Sequence, residues 1–183
     1  MITLIEDNKK HGYRIYNSSV IVDHYEELLS IASVAHQRCL ENLNVDNTTS
    51  AYNRYNSFTL FGCDKHYYNL YKDLIYVIKD FVPKTECMWF ESWINWWTPK
   101  EVLGWHDHLF KYHGYISIDP KSTFTKFRKY SIENKIGNIY IGPGFREHRV
   151  IVDTKYDGPR LTMGFDINVE PTKTDNLSFI PII

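Results

Sequence analysis

The sequence predicts a mainly β protein with helices at its N-terminal end. Before Pro83, apolar residues recur every three or four positions, which is the period of a helix. After Pro83, short aromatic or β-branched runs are separated by turn residues, as in strands. Many short strands preceded by two helices are typical of a double-stranded β-helix, or jelly roll, whose outer sheet face is covered by the helices. We therefore expect a double-stranded β-helix backed by two α-helices.

Two helices are predicted in the first half of the chain. The first covers 23–43, where Asp23 and Glu26 have the spacing of a capping box. The second covers 64–81 and ends just before Pro83. We expect these helices to support a β core and to occupy about 20–83.

The strands are predicted where aromatic and β-branched residues alternate with polar ones. The clearest is the last, because apolar residues occupy every second position from Leu161 to Val169. The basic, aromatic segment 121–135 has no such pattern, so we expect a long loop over one end of the barrel. The predicted strands are 13–22, 87–97, 101–109, 113–119, 136–142, 147–153 and 160–169.

Composition limits the classes of protein that this chain can be. It has 183 residues, a formal net charge of -1 and 16% aromatic residues, which fits one globular domain over 1–183 with a jelly-roll core at about 87–170. It has neither a signal-like apolar run at the start nor an apolar stretch of membrane-spanning length. Cys39, Cys63 and Cys87 are not clustered. We expect a cytoplasmic protein without membrane association that binds a small molecule and acts on a substrate that the composition does not identify. The balanced charge disfavours nucleic acid without excluding it, and a homodimer is left open.

Histidines are concentrated in the strand-rich half. On a strand, His106 and His108 would point to the same side and could bind one metal ion. His148 follows a strand and a Gly-Pro-Gly turn, and it is the best candidate for a third ligand. Imidazole suits iron, copper, nickel and zinc. The sequence thus predicts a metal centre at His106, His108 and His148.

Three motifs in order resemble those of the 2-oxoglutarate/Fe(II)-dependent oxygenases, over about half of the chain. They are ESWINWW with WHDH and HGYISI, then IGPGF with His148, then PRLTMGFDI. The resemblance implies the ligands His106 and His148, with His108 where the family usually has Asp or Glu. It also implies that Arg160 and Thr162 bind the distal carboxylate of 2-oxoglutarate. An arginine fork pairs well with a carboxylate, although Arg160 could instead pair with Asp166 or Asp153.

The ligand motif departs from the family pattern, because the acidic residue is displaced to Asp107. Either the three histidines form the ligand set, which we favour, or a β-bulge turns Asp107 inward. The sequence also resembles the cupins, whose first motif has a glutamate where His113 stands, and whose second has a proline five residues before a histidine, as Pro143 is before His148. Whether His113 takes part stays open.

The oxygenase resemblance implies Fe(II), 2-oxoglutarate and O2 as cofactor and cosubstrates, with hydroxylation of an unidentified substrate and release of succinate and CO2. Tyr115, on the strand after the ligand motif, could hydrogen-bond 2-oxoglutarate. The alternatives are a histidine-ligated cupin dioxygenase that needs no 2-oxoglutarate, and a non-catalytic jelly-roll binding protein. The pair Arg160 and Thr162 discriminates between them, because only the oxygenase requires it.

Overall fold

A computed structural model describes residues 1–43, 49–50, 56–60, 64–84, 88–98, 103–169 and 178–182. The helices are α1 (Ser19–Asp23), α2 (Tyr25–Leu43), α3 (Ser57–Leu60) and α4 (Lys65–Phe81). The strands are β1 (Ile2–Asn8), β2 (Tyr13–Ser18), β3 (Thr49–Ser50), β4 (Met88–Trp97), β5 (Tyr112–Asp119), β6 (Thr123–Phe127), β7 (Ser131–Glu133), β8 (Asn138–Pro143), β9 (His148–Val152), β10 (Arg160–Asn168) and β11 (Ile180–Ile182).

The strands form two antiparallel sheets. The large sheet has the order β1-β2-β8-β5-β10-β4-β11, with β3 paired to β4, and the small sheet has the order β7-β6-β9. Tyr115, Tyr140 and Tyr13 of the large sheet share an apolar cluster with Phe127 and Ile132 of the small sheet. The space between the two sheets is therefore the interior of the barrel.

The helices cover the other face of the large sheet. Leu28 of α2 and Leu74 of α4 are fully buried in one cluster with Met163 and Phe165 of β10. Because side chains alternate along a strand, the residues between these apolar ones point to the barrel interior. Strand β10 is consequently buried on both faces and carries its polar residues inward.

The N-terminal region differs from the prediction in its details. The segment expected as one strand over 13–22 is β2 followed by α1, and β1 and β11 were not predicted. Asp23 ends α1 and α2 begins at Tyr25, so the predicted capping box is wrong. The start of α4 is as predicted, since the side chain of Asp64 accepts hydrogen bonds from the backbone of His66 and Tyr67.

Two predictions in the β region are also wrong. The segment 121–135 is not a long loop but contains β6 and β7, because its alternating residues Thr123, Thr125 and Phe127 are buried against the interior. The segment predicted as a strand over 101–109 has, within its described part 103–109, only an isolated bridge at His106.

Two further observations concern the cysteines and the possibility of a membrane-spanning helix. Cys39 is buried, whereas Cys63 and Cys87 lie outside the described residues. Among the residues that the structure describes, none of the helices has the length and apolar character needed to cross a bilayer.

Candidate metal centre

Two of the predicted metal ligands are paired through their backbones. The amide of His106 donates to the carbonyl of His148 at 3.0 Å, and the amide of His148 donates to the carbonyl of His106 at 2.8 Å. This antiparallel bridge joins the loop before β5 to the start of β9. The close approach of His106 and His148 therefore follows from long-range backbone pairing rather than from a regular strand.

The Gly-Pro-Gly turn holds the loop that carries His108. The carbonyl of Gly144 accepts a hydrogen bond from the amide of His108 at 3.0 Å, and its amide donates to the carbonyl of Lys111 at 3.0 Å. A Cβ at position 144 would lie 2.0 Å from the carbonyl oxygen of Phe110. Only glycine allows this approach of the two backbones.

The structure brings the three predicted histidines together. One ligand atom from each of His106, His108 and His148 lies within 4.8 Å of the other two. The ring centroids are 4.3 Å apart for His106 and His148, 5.3 Å for His106 and His108, and 5.4 Å for His108 and His148. The cluster is thus compact enough for one ion after small side-chain adjustments.

Hydrogen bonds select the tautomers of these histidines. Nδ1 of His106 lies 2.9 Å from the carbonyl oxygen of Gly104, and Nδ1 of His148 lies 2.9 Å from that of Arg146. A carbonyl can only accept, so each Nδ1 carries the proton and each Nε2 presents a lone pair. Nε2 of His108 is buried with no hydrogen-bond partner. Imidazoles that bind a metal through one ring nitrogen typically donate a hydrogen bond through the other. This donor set therefore fits a transition-metal ion such as iron.

Asp166 of β10 orients two imidazoles at once. Its Oδ2 lies 3.0 Å from Nδ1 of His108, and its Oδ1 lies 2.9 Å from Nδ1 of His113. The side chain of Asp166 is 0% exposed and that of His108 is 7% exposed. The two rings are stacked, with centroids 3.5 Å apart. A buried carboxylate clamping two imidazoles is a site feature that sequence reasoning missed, although the alternation along β10 does point Asp166 inward.

The pKa values describe a neutral set of histidines beside one carboxylate. Burial, with the neighbouring histidines, lowers the pKa of His148 to about 2 and that of His113 to about 4. Burial also lowers the pKa of His106. Burial by itself would raise the pKa of Asp166, but hydrogen bonds from His108 and His113 lower it to about 2. At neutral pH the imidazoles of His106, His113 and His148 are therefore neutral, and Asp166 supplies a negative charge beside them.

Asp107 and His113 lie outside the cluster of three histidines. Asp107 is exposed, so the alternative in which a bulge turns it inward is not what the structure has. His113 belongs to a second group with His108 and Asp166. Nδ1 of His113 is thus held by Asp166.

The residues predicted to bind 2-oxoglutarate face the same interior. Arg160 and Thr162 are on the inward face of β10, and Tyr115 is on the neighbouring strand opposite Gly164. Arg160 is 4% exposed, and none of the ion pairs among the described residues involves it. Burial lowers the pKa of Arg160, opposed by a hydrogen bond with Tyr156. The guanidinium is therefore a buried cation without an acidic partner in the described part of the chain.

The interior near Arg160 contains other polar groups without partners. The hydroxyls of Tyr115, Ser117 and Tyr140 are buried and make no hydrogen bond. Thr162 has a long contact of 3.4 Å from Nδ2 of Asn95 to its Oγ1. Since a buried hydroxyl without a partner is costly, these groups indicate room for a polar ligand or water.

One aromatic side chain separates the histidines from Arg160 along the sheet. Trp93 packs directly over Gly164, where a Cβ would lie 2.4 Å from the indole. The indole also stacks near the rings of His108 and His113, at 5.9 and 6.2 Å between centroids. Trp93 thus shields the buried side of the metal centre from water.

The segment beside His148 forms an exposed rim. Phe145 is 66% exposed, and Glu147 accepts two hydrogen bonds from Arg128 at 2.7 and 2.8 Å. Arg128 and Arg149 lie 3.9 and 5.0 Å from the ring of Trp105. This rim is aromatic and basic.

Comparison with known proteins identifies the fold. No family model matches the chain, and no curated protein matches it. Among solved structures, SnoN, a non-heme α-ketoglutarate-dependent epimerase from nogalamycin biosynthesis, is 10% identical; the match covers 96% of this chain and 95% of that one, with a TM-score of 0.59. HygX from Streptomyces hygroscopicus with iron bound is 11% identical, with coverage of 93% and 90% and a TM-score of 0.57. At these identities the likeness shows the fold, and the predicted double-stranded β-helix is confirmed.

Proposed function

We propose that this protein is an Fe(II)- and 2-oxoglutarate-dependent oxygenase that hydroxylates a small molecule and releases succinate and CO2. The observation that carries the proposal is the buried guanidinium of Arg160, which has no acidic partner among the described residues and faces the same interior as His106, His108 and His148. A buried cation of this kind requires an anionic partner. The distal carboxylate of 2-oxoglutarate is such a partner.

The histidines and Asp166 would hold the iron. Nε2 of His106, His108 and His148 would be its ligands, each kept in the required tautomer by the contact at Nδ1. Asp166 compensates for the missing ligand carboxylate, because its negative charge lies behind His108 rather than on the metal. Iron in this site would supply the activation of O2. Trp93 and the aromatic cluster around Phe127 keep bulk water away from it.

The inward face of β10 would bind the cosubstrate. Arg160 offers two parallel N–H groups to a carboxylate, and the hydroxyls of Thr162 and Tyr115 add donors on the same face. A strand rises about 3.3 Å per residue, so the Cα atoms of Arg160 and Asp166, six residues apart, are separated by about 20 Å. The side chain of Arg160 and the bound cosubstrate would together have to span that length to reach the histidines.

A second candidate function is a cupin-type dioxygenase that needs no 2-oxoglutarate. It is favoured by the position of Trp93 over Gly164, between Thr162 and Asp166, where part of the cosubstrate would lie. The all-histidine donor set also suits it. In this case Arg160 would bind an anionic substrate instead.

The two functions differ in what Fe(II) does when 2-oxoglutarate is added. We expect anaerobic protein loaded with Fe(II) to develop a visible metal-to-ligand charge-transfer band on titration with 2-oxoglutarate. Arg160→Met should bind Fe(II) normally but require at least about 100-fold more 2-oxoglutarate, because two charge-assisted hydrogen bonds are lost. His148→Ala should lose both iron and the band. Arg38→Ala, on the exposed side of α2, is the matched control.

Each outcome distinguishes between the candidates. Iron binding without a band at any 2-oxoglutarate concentration contradicts the oxygenase and favours the cupin-type enzyme. A band that is unchanged in Arg160→Met contradicts the assignment of Arg160. Failure of the parent protein to bind Fe(II) removes both enzymes and leaves a jelly-roll binding protein.

A further inference from the structure

Another group of side chains that could bind a metal ion lies in the helical layer, outside the barrel. It consists of His24, Glu27 and His66, and one ligand atom from each lies within 4.8 Å of the other two. His24 joins α1 to α2, Glu27 is in the first turn of α2, and His66 is in the first turn of α4. The large sheet separates this group from the histidines of the barrel, so the two sites are independent.

The backbones of both histidines are held in place. The amide of His24 donates to the carbonyl of Val20 at 3.2 Å, and its carbonyl accepts from the amide of Leu28 at 3.0 Å. The amide of His66 donates to the side chain of Asp64 at 2.8 Å. The rings are consequently presented to each other by two different helices that are already fixed.

The ring of His66 has a buried nitrogen that makes no hydrogen bond. The residue is 9% exposed, and its Nδ1 is buried with no hydrogen-bond partner. Its ring centroid lies 4.0 Å from that of His24, and the rings are tilted by 47° rather than parallel. A buried ring nitrogen is normally paired, and a tilted pair of imidazoles can direct two lone pairs at one point.

Glu27 provides a third donor on the open side. It lies three residues after His24, which places both on one face of the chain as it enters α2. Glu27 is exposed, and within the described ranges its carboxylate makes no ion pair or hydrogen bond with another side chain. It can therefore rotate toward the two rings without breaking an existing contact.

We propose that His24, Glu27 and His66 bind a divalent transition-metal ion of the Zn²⁺ type that joins the α1–α2 junction to α4. Two imidazoles and one carboxylate suit Zn²⁺, whereas Mg²⁺ and Ca²⁺ prefer oxygen ligands throughout. Donor atoms bound to Zn²⁺ at about 2.0–2.2 Å lie closer to one another than 4.8 Å. The three side chains therefore move slightly toward the ion when it binds. The fourth position is open to water. Binding stabilises the folded protein, since the unfolded chain lacks the site.

The test uses protein in which both barrel groups have been disrupted by His106→Ala, His108→Ala and His148→Ala, since His108 belongs to both. Zn²⁺ binding is measured by competition with a chromophoric chelator, and the midpoint of thermal unfolding is recorded with and without Zn²⁺. We expect one equivalent of Zn²⁺ and a rise in the midpoint. Adding His24→Ala should weaken binding at least about 100-fold and abolish the rise. Adding Glu27→Gln, an exposed change that leaves the core intact, should weaken binding about tenfold or more.

Glu26→Gln is the matched control, because Glu26 is the exposed neighbour of Glu27 on the same helix. It should leave Zn²⁺ affinity unchanged. The proposal is overturned if the protein lacking the barrel site binds no Zn²⁺, or if His24→Ala and Glu27→Gln bind it as tightly as Glu26→Gln does. Either result leaves the proposed oxygenase untouched, because the Fe(II) and 2-oxoglutarate titration depends on other residues.

Discussion

At the scale of single residues, the candidate centre depends on what the second nitrogen of each imidazole contacts. Backbone carbonyls hold Nδ1 of His106 and His148, whereas a carboxylate holds Nδ1 of His108. The ligand set thus contains no acid, but Asp166 contributes a charge one contact further away. Asp107, the acidic residue nearest in sequence, is exposed and contributes nothing to the cluster.

The clamp made by Asp166 predicts the effect of Asp166→Asn. An amide can accept one imidazole N–H through its oxygen, but its NH₂ group opposes the second, so either His108 or His113 loses its hydrogen bond or changes tautomer. We expect Fe(II) affinity to fall about 10–100-fold, measured anaerobically by competition with a chelator.

Asp153→Asn is the control for this change, since Asp153 is exposed just beyond β9. It should leave the affinity unchanged. An affinity in Asp166→Asn equal to that of the parent protein would show that the carboxylate does not support the ligands.

The close approach at Gly144 makes a second prediction. In Gly144→Ala the new Cβ would meet the carbonyl oxygen of Phe110 at 2.0 Å, so the two backbones must separate. We expect the free energy of unfolding to fall by about 1–3 kcal/mol, as for overpacked sites, and Fe(II) affinity to fall with it because His108 moves. Urea unfolding and Fe(II) titration measure the two effects.

Gly104→Ala, in the segment that carries His106 and His108, tests whether replacing a glycine near the centre has the same effect without the close contact. A Cβ at position 104 has nothing within 4 Å. Its stability and affinity should match those of the parent. If both variants lost the same stability and Fe(II) affinity, the effect would come from reduced backbone freedom and not from the contact with Phe110.

At the scale of elements, β10 organises the protein. Its apolar face packs against the helices through Met163 and Phe165, while its polar face carries Arg160 and Asp166 into the barrel. Asp166 reaches the histidines directly, and Arg160 lies at the other end of the same strand. One strand therefore connects the core, the metal centre and the proposed cosubstrate site.

The start of α4 predicts a measurable contribution from its cap. Asp64 accepts hydrogen bonds from the amides of His66 and Tyr67 at 2.8 and 3.0 Å. We expect Asp64→Ala to lower the free energy of unfolding by about 1 kcal/mol, measured with urea. Asp64→Asn keeps an acceptor oxygen and should retain most of the stability, so equal losses in the two variants would contradict a capping role.

At the scale of the whole molecule, the two buried layers have different characters. The layer between helices and sheet is mainly apolar, with Leu28, Leu74 and Phe165 fully buried. The layer between the two sheets combines aromatic residues with buried histidines, a carboxylate and a guanidinium. Ionisation inside the second layer makes the stability of the entire protein depend on pH.

This dependence is predicted for metal-free protein between about pH 6.5 and pH 4. The pKa of His148 is lowered to about 2 and that of His113 to about 4, whereas an unfolded histidine titrates near 6.5. As the pH falls below about 6.5, the unfolded chain binds protons that the folded one does not. Each histidine then lowers the free energy of unfolding by up to about 1.4 kcal/mol per pH unit.

Urea unfolding in the presence of a chelator, from pH 7.5 to 4.5, checks this prediction. Asp166 does not affect this window, because its lowered pKa adds stability that is lost only below about pH 4. His148→Asn should reduce the slope by about one proton. A stability that stays constant from pH 6.5 to 4.5 would contradict burial of neutral histidines.

Several features were predictable from sequence because they depend on local patterns. The alternation along β10 and the helical period before Pro83 identified most of the main elements, and the spacing of His106, His108 and His148 identified the cluster. The errors also have a physical origin. In the segment 121–135 the buried face of β6 includes Thr123 and Thr125, so no apolar alternation marks it. The paired backbones of His106 and His148 depend on a contact between residues 42 positions apart.

By itself, the sequence predicted the fold class and the three histidines, because these follow from side-chain periodicity and residue type, whereas Arg160 was implied by the family resemblance. Only the tertiary structure decided that Asp166 clamps His108 and His113, that Asp107 faces outward, and that His24, Glu27 and His66 meet between two helices. Those contacts join residues far apart along the chain. They arise from sheet register and helix packing, which local patterns do not encode.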